Sequence, residues 1–143
     1  MSQENPATLL YVIKQLELAV SNAVDDVVAE AGLTSTQYTA LTVLDRHPGM
    51  TAAALARNSF VRAQTAASLV NALENLGMIE RQPDPNSRRQ NLIFLTETGR
   101  KVLVNLDKGI SEIQQRATAH LTAEEAQALY SLLQKSRSGI TEN

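Results

Sequence analysis

Cysteine and tryptophan are absent from this sequence, and its aromatic residues are only two phenylalanines and three tyrosines. Without cysteine there can be no disulfide, no thiolate metal site and no thiol redox sensor. With so few rings the core must be aliphatic, which suits packed helices. Long apolar runs are missing as well, so no stretch reaches the length of a membrane span. Glu4 stands where a secretory signal would carry basic residues, and a soluble cytoplasmic protein is expected. Histidine is scarce: only His47 and His120 occur, and they are not at helical metal-ligand spacing. There is no glycine-rich phosphate loop, and no Ser-His or paired-carboxylate constellation beside a motif. Asp25-Asp26 and Glu124-Glu125 are accounted for by solvation and helix capping. The residues therefore argue against an enzyme, a metal site or a bound cofactor.

What remains is an ordinary globular composition, 43% apolar and 20% charged over 143 residues, enough for one domain with its own core. The net charge of −2 argues against a polyanionic partner, but its distribution argues for one. From Arg46 to Lys101 there are eight basic residues against four acidic ones. The centre is positive and the two ends are negative, as expected if the centre meets nucleic acid while the ends do something else.

Periodicity divides the chain into helices and one hairpin. Leu9, Ile13, Leu16, Val20, Ala23 and Val27 recur at steps of three and four, which predicts a helix over about 7–31, stopped by Gly32. Thr34-Ser35-Thr36-Gln37 reads as a capping box that opens a second helix, which ends before Pro48-Gly49. Thr51 suits the N-cap of a short third helix, broken at Asn58 and Ser59. A fourth helix is predicted from about Arg62 to Leu76. Strands are expected over 78–82 and 91–95, with Pro83 to Gln90 as the loop between them. Thr96 caps a fifth helix with Leu103, Leu106, Ile110, Ile113 and Ala117 on one stripe; His120 continues that seam. Thr122-Ala123-Glu124-Glu125 is a second capping box, opening a last helix with Leu129, Leu132 and Leu133.

Two short helices, a tight connection and then a hairpin is the order of a winged helix-turn-helix. The fold class is thus mainly α with a small β element (α+β). On the fourth helix, Ala66, Leu69, Leu73 and Leu76 are expected to face inward. Gln64, Ser68, Asn71 and Asn75 share another face, with Thr65 beside it and Arg62 at its start. An ordinary solvated face carries Lys and Glu. Amides and hydroxyls offer both donors and acceptors, as base edges in the major groove require. Arg88 and Arg89 are expected at the hairpin tip, stiffened by Pro83 and Pro85, where a guanidinium can enter a minor groove or pair with phosphates.

Three stretches resemble the MarR family of bacterial transcription regulators. They are Leu33-Thr34-Ser35-Thr36-Gln37-Tyr38 with Leu41 and Leu44, then Leu55-Ala56 through Arg81, and finally Asp84-Pro85-Asn86-Ser87-Arg88-Arg89 followed by Leu95-Thr96-Glu97-Thr98-Gly99. The last is similar to the family's wing signature. Ser87 stands where the family usually has an aspartate that braces a wing arginine, which leaves Asp84 as the brace. Ser68 stands where many members carry an arginine.

The resemblance implies one MarR-like unit over 1–143, with a winged helix-turn-helix lobe at about 34–96. It implies dimerisation helices at about 7–31 and 97–140, interlocked in a homodimer. It further implies a DNA-binding regulator of transcription on a pseudo-palindromic operator, a repressor released by a small aromatic ligand, with activation as the alternative output. Double-stranded DNA would be held by Arg62, Gln64, Thr65, Ser68, Asn71, Arg88 and Arg89. A small effector such as an aromatic acid would lie near Tyr11, Tyr38, Arg46 and His47. The competing reading is a winged-helix protein-interaction module that does not bind specific DNA.

Overall fold

The computed structural model describes residues 7–142. Glu4, on which the reading of the N-terminus rests, lies outside the described residues. The elements run α1 (Ala7–Val28), α2 (Ser35–Arg46), α3 (Ala52–Asn58), α4 (Ala63–Asn75), β1 (Ile79–Asp84), β2 (Ser87–Leu95), α5 (Glu97–Ala117) and α6 (Ala123–Thr141). A single 3₁₀ turn, Ala29–Ala31, follows α1 and ends on Gly32 in the left-handed region. No helix among the described residues is long and apolar enough to cross a membrane. They contain no cluster of three His, Asp or Glu side chains that could hold a metal.

Local chemistry sets the helix starts. Thr34, Thr51, Thr96 and Thr122 each accept a backbone N–H with the side chain, at α2, α3, α5 and α6 respectively. At α2 and α6 the capping box is complete, with Gln37 and Glu125 reaching back to the N-cap amide. Asp25 does more than stay hydrated. Its carboxylate accepts the Ser35 N–H at 2.7 Å, tying α1 to the positive end of α2.

The core lies in the middle of the chain. Val28, Leu41, Leu44, Leu55, Leu73 and Ile93 are fully buried there, each contributing about 1.5–3 kcal/mol. α5 crosses this core and packs on α1 at close range. A Cβ on Gly109 would stand 2.7 Å from Val27 Cγ1. Leu76 departs from the expected inward stripe: it is the C-cap of α4 and is 46% exposed. Val70 takes the inward place instead. The helix ends too soon for Leu76 to reach the core.

The strands form one antiparallel ribbon, with Ile79 opposite Leu95 and Pro83 opposite Asn91. β2 is also pinned from its other side. Gly49 N–H donates to the Ile93 carbonyl at 3.0 Å, and Ile93 N–H donates to the Met50 carbonyl at 2.8 Å. The α2–α3 connection therefore acts as a partial third strand.

The root of the ribbon is joined to α5. Thr96 N–H donates to the Met78 carbonyl at 3.0 Å, and Thr96 Oγ1 donates to the Gly77 carbonyl at 2.6 Å. The same hydroxyl accepts the Gly99 N–H at 3.1 Å. A Cβ at Gly99 would fall 2.2 Å from the Met78 carbonyl oxygen. The Leu-Thr-x-x-Gly stretch thus has a structural role, in which threonine ties the joint and glycine makes room for it. Gly99→Ala is expected to destabilise the chain by about 1–3 kcal/mol, read as a lower urea midpoint; an unchanged midpoint would show that the joint is not as tight as described.

Candidate nucleic-acid interface

The inward face of α4 consists of Ala66, Leu69, Val70 and Leu73, all buried. At 100° per residue, Gln64, Ser68, Asn71 and Asn75 point the opposite way, and all four are exposed, as is Thr65. Glu74 is the only charged residue within the helix. Arg62, exposed, is its N-cap, and no side chain caps the helix there. The outer surface of α4 is thus a row of amides and hydroxyls with a cation at its start.

The ribbon stands beside this row, and its register is irregular. Asp84 pairs with Ser87, whereas the next pair inward is Pro83 with Asn91. Arg88, Arg89 and Gln90 therefore have no opposite residues on β1 and form an outward bulge. The turn itself is Pro85-Asn86, held by the Asp84 carboxylate accepting the Asn86 N–H at 2.9 Å. This corrects the expectation that both arginines occupy the tip of a loop over 83–90: they lie on β2, behind a tighter turn. It also changes the role of Asp84. Among the described residues neither Arg88 nor Arg89 forms an ion pair with a carboxylate, so Asp84 shapes the turn and braces no guanidinium. Ser87 Oγ accepts the Arg89 N–H at 3.4 Å and leaves both side chains free.

Arg81 is a residue that sequence reasoning did not single out. From β1 its guanidinium donates to the Asn71 side-chain oxygen and pairs with Glu74 at 3.5 Å. It thus ties the ribbon to α4. A strand residue's periodicity reveals which face it occupies but not which helix it meets, so only its charge could have hinted at this role. The groove behind this tie encloses about 500 Å³ and is lined by Thr51, Ala67, Asn71, Arg81, Arg89 and Asn91 among others. Asn71 and Arg89, both expected to contact DNA, are brought to this one groove. Gln64 and Thr65 stand further along α4 towards its start, and Ser68, between the lining residues Ala67 and Asn71, does not line it.

The four residues expected near an effector are only partly gathered. Tyr38 is half-buried on α2, and burial pushes its phenol pKa up. The Asp107 carboxylate on α5 adds to that rise, and Arg46 opposes it. Tyr38, Arg46 and Asp107 therefore share one electrostatic neighbourhood. His47 is exposed at the end of α2, and Tyr11 is exposed on the first half of α1. His120 is exposed in the turn after α5 and off its seam.

The comparisons agree with this geometry. The family model described as MarR family matches residues 31–90. The uncharacterized HTH-type transcriptional regulator YybA of Bacillus subtilis is 32% identical over 108 residues, 76% of this chain and 72% of its own length. The HTH-type transcriptional repressor Rv2887 of Mycobacterium tuberculosis is 26% identical over 135 residues, 94% of this chain and 97% of its own. Among solved structures, the PcaV transcriptional regulator of Streptomyces coelicolor, in complex with its natural ligand, superposes with a TM-score of 0.82 at 26% identity. That match covers 96% of this chain and 98% of the other. With α4 as the second helix of the helix-turn-helix and β1–β2 as its wing, the chain belongs to the MarR family of winged-helix transcription regulators.

Proposed function

We propose that the chain works as a homodimer on double-stranded DNA, with one α4 in each of two successive major grooves of a pseudo-palindromic site. Gln64, Thr65, Ser68 and Asn71 read base edges, Arg62 holds the backbone at the entry of α4, and Arg88 and Arg89 reach phosphates or a minor groove. The observation that carries this reading is the row of uncharged donors and acceptors on α4, exposed along its length beside two unpaired arginines. A face meant only for water gains nothing from replacing lysine and glutamate with amides. A face meant for base edges does.

A second protomer is called for by the ends of the chain. Leu9, Leu10, Tyr11 and Val12 on α1 and Tyr130, Leu132 and Ile140 on α6 are all more than half exposed. α6 buries no residue against its own chain. Terminal helices of one protomer thus leave each other uncovered, and an apolar surface of this extent needs a partner. The same helices, at about 7–31 and 97–140, are the dimerisation elements in this reading.

Repression is the output favoured here, since a protein seated on promoter DNA blocks polymerase and the Mycobacterium relative is named a repressor. The ligand held by the Streptomyces regulator supports an effector for this chain too. A small aromatic acid near Tyr38, Arg46, Tyr11 and His47 would meet a ring, a guanidinium and the α2–α5 contact. It would act by preferring one spacing of the two winged lobes.

Selection of duplexes from a random library by the purified protein, followed by gel shift, tests the reading. Enrichment of one inverted repeat supports it, and unselective weak binding contradicts it. Arg88→Ala is expected to keep the fold, within about 0.5 kcal/mol, and to lower the slope of log affinity against log salt by about 2, one phosphate per wing. An unchanged slope and affinity would favour a protein-interaction module instead. Leu132→Glu is expected to leave the chain folded but to shift it towards monomer in sedimentation, with affinity for the inverted repeat lost alongside; a variant that stays dimeric would remove α6 from the interface.

A further inference from the structure

Among the described residues, Phe60 is the most exposed large apolar side chain, at 81%. It is also the only non-glycine residue with positive φ, at 62°, among the described residues. The left-handed region is costly for a bulky L-residue, and glycine or asparagine would occupy it with less strain. Burial does not offset that cost here. The residue before it adds to the oddity: the Ser59 hydroxyl is buried and has no hydrogen-bond partner. Two unfavourable features thus adjoin in the turn between α3 and α4. The conformation itself caps α3, with Val61 N–H donating to the Ala56 carbonyl at 3.1 Å, but a phenylalanine in a place that suits glycine, with its ring left exposed, points to a contact made outside the chain.

Position supplies the occupant. The turn leads directly into Arg62, the N-cap of α4, and the exposed Gln64 follows in the first turn of that helix. In a helix-turn-helix the start of the second helix is the end that approaches the bases. The apolar groups a duplex offers there are thymine methyls and the C–H faces of deoxyribose, and phenylalanine is suited to both.

We propose that Phe60 is a DNA-contacting residue, held outward by its strained backbone so that its ring packs on apolar carbon of the duplex at the entry of α4. The proposal rests on the DNA-binding reading above. It adds a van der Waals contact to a set of residues that otherwise act by hydrogen bonds and charge. The ring finds its apolar contact only on DNA, so the turn lowers the stability of the free protein in favour of affinity.

The test uses the full chain and the inverted repeat enriched by the unaltered protein, once with thymine and once with uracil throughout. Phe60→Gly and Phe60→Asn are expected to raise Tm by about 2–4 °C, to remain dimeric, and to bind the thymine duplex about tenfold more weakly. Their salt slope should not change, because no phosphate contact is lost. Phe60→Tyr, which keeps the ring, should bind within about twofold of the unaltered protein. If the loss vanishes on the uracil duplex, the ring meets a thymine methyl; if it persists there, the ring meets deoxyribose. Glycine and asparagine variants that bind as tightly as the unaltered chain would overturn the proposal. So would a loss of affinity accompanied by lower Tm or by dissociation of the dimer, because Phe60 would then be structural. An unaltered chain that enriches no duplex would instead sink the DNA-binding reading itself.

Discussion

The arrangement hinges on one joint, where Gly99 lies against the Met78 carbonyl with no room for a methyl group. Three parts of the molecule meet there. Gly77 and Met78 follow α4 and lead into β1, Thr96 joins β2 to α5 as its N-cap, and Gly99 lies in the first turn of α5. The Thr96 hydroxyl donates to one side and accepts from the other. The end of α4, the root of the wing and the start of α5 are therefore held at one joint. A displacement of α5 carries the wing root and the end of α4 with it. In the proposed dimer, that coupling is what an effector near Tyr38 and Arg46 would need to alter the spacing of the two winged lobes.

The wing is held by two further attachments of different strength. The hydrogen bonds of Ile93 with Gly49 and Met50 are backbone bonds next to a fully buried side chain, and they fix where β2 runs. The Arg81 link to Asn71 and Glu74 is more exposed, where water weakens ion pairs to below about 1 kcal/mol. The inner ribbon is consequently firm and its outer end less so. The bulge at Arg88–Gln90 belongs to that outer end. Two guanidiniums without carboxylate partners at the end of such a ribbon can follow the contour of a polyanion without first breaking an ion pair. The acidic residues that offset the positive centre lie mainly on α1, α5 and α6.

Features written in short range were legible in the sequence. The capping threonines, the Gly32 stop and the period of α4 each depend on residues within one helical turn, and the structure has them where the pattern put them. Features that depend on a neighbour distant in sequence were not legible. The position of Arg88 and Arg89 turns on whether Asp84 pairs with Ser87 or with a later residue, which composition does not decide. Leu76 carried the correct period but lies where the helix stops. Arg81 and Asp25 find their partners on other elements, and Tyr38 meets Asp107 only once α5 is laid across α2. The family resemblance, carried by the Asp84–Arg89 and Leu95–Gly99 stretches, supplied the long-range order that periodicity lacks.

In the proposed complex the uncharged row on α4 occupies the major groove twice per dimer. Footprinting a bound duplex with dimethyl sulfate, which reports guanine N7 on the major-groove side, probes this without an intermediary. The expected pattern is two protected patches with their centres about 10 base pairs apart, related by a two-fold axis. Guanines that stay equally reactive throughout a duplex shown to be bound would refute the placement of α4.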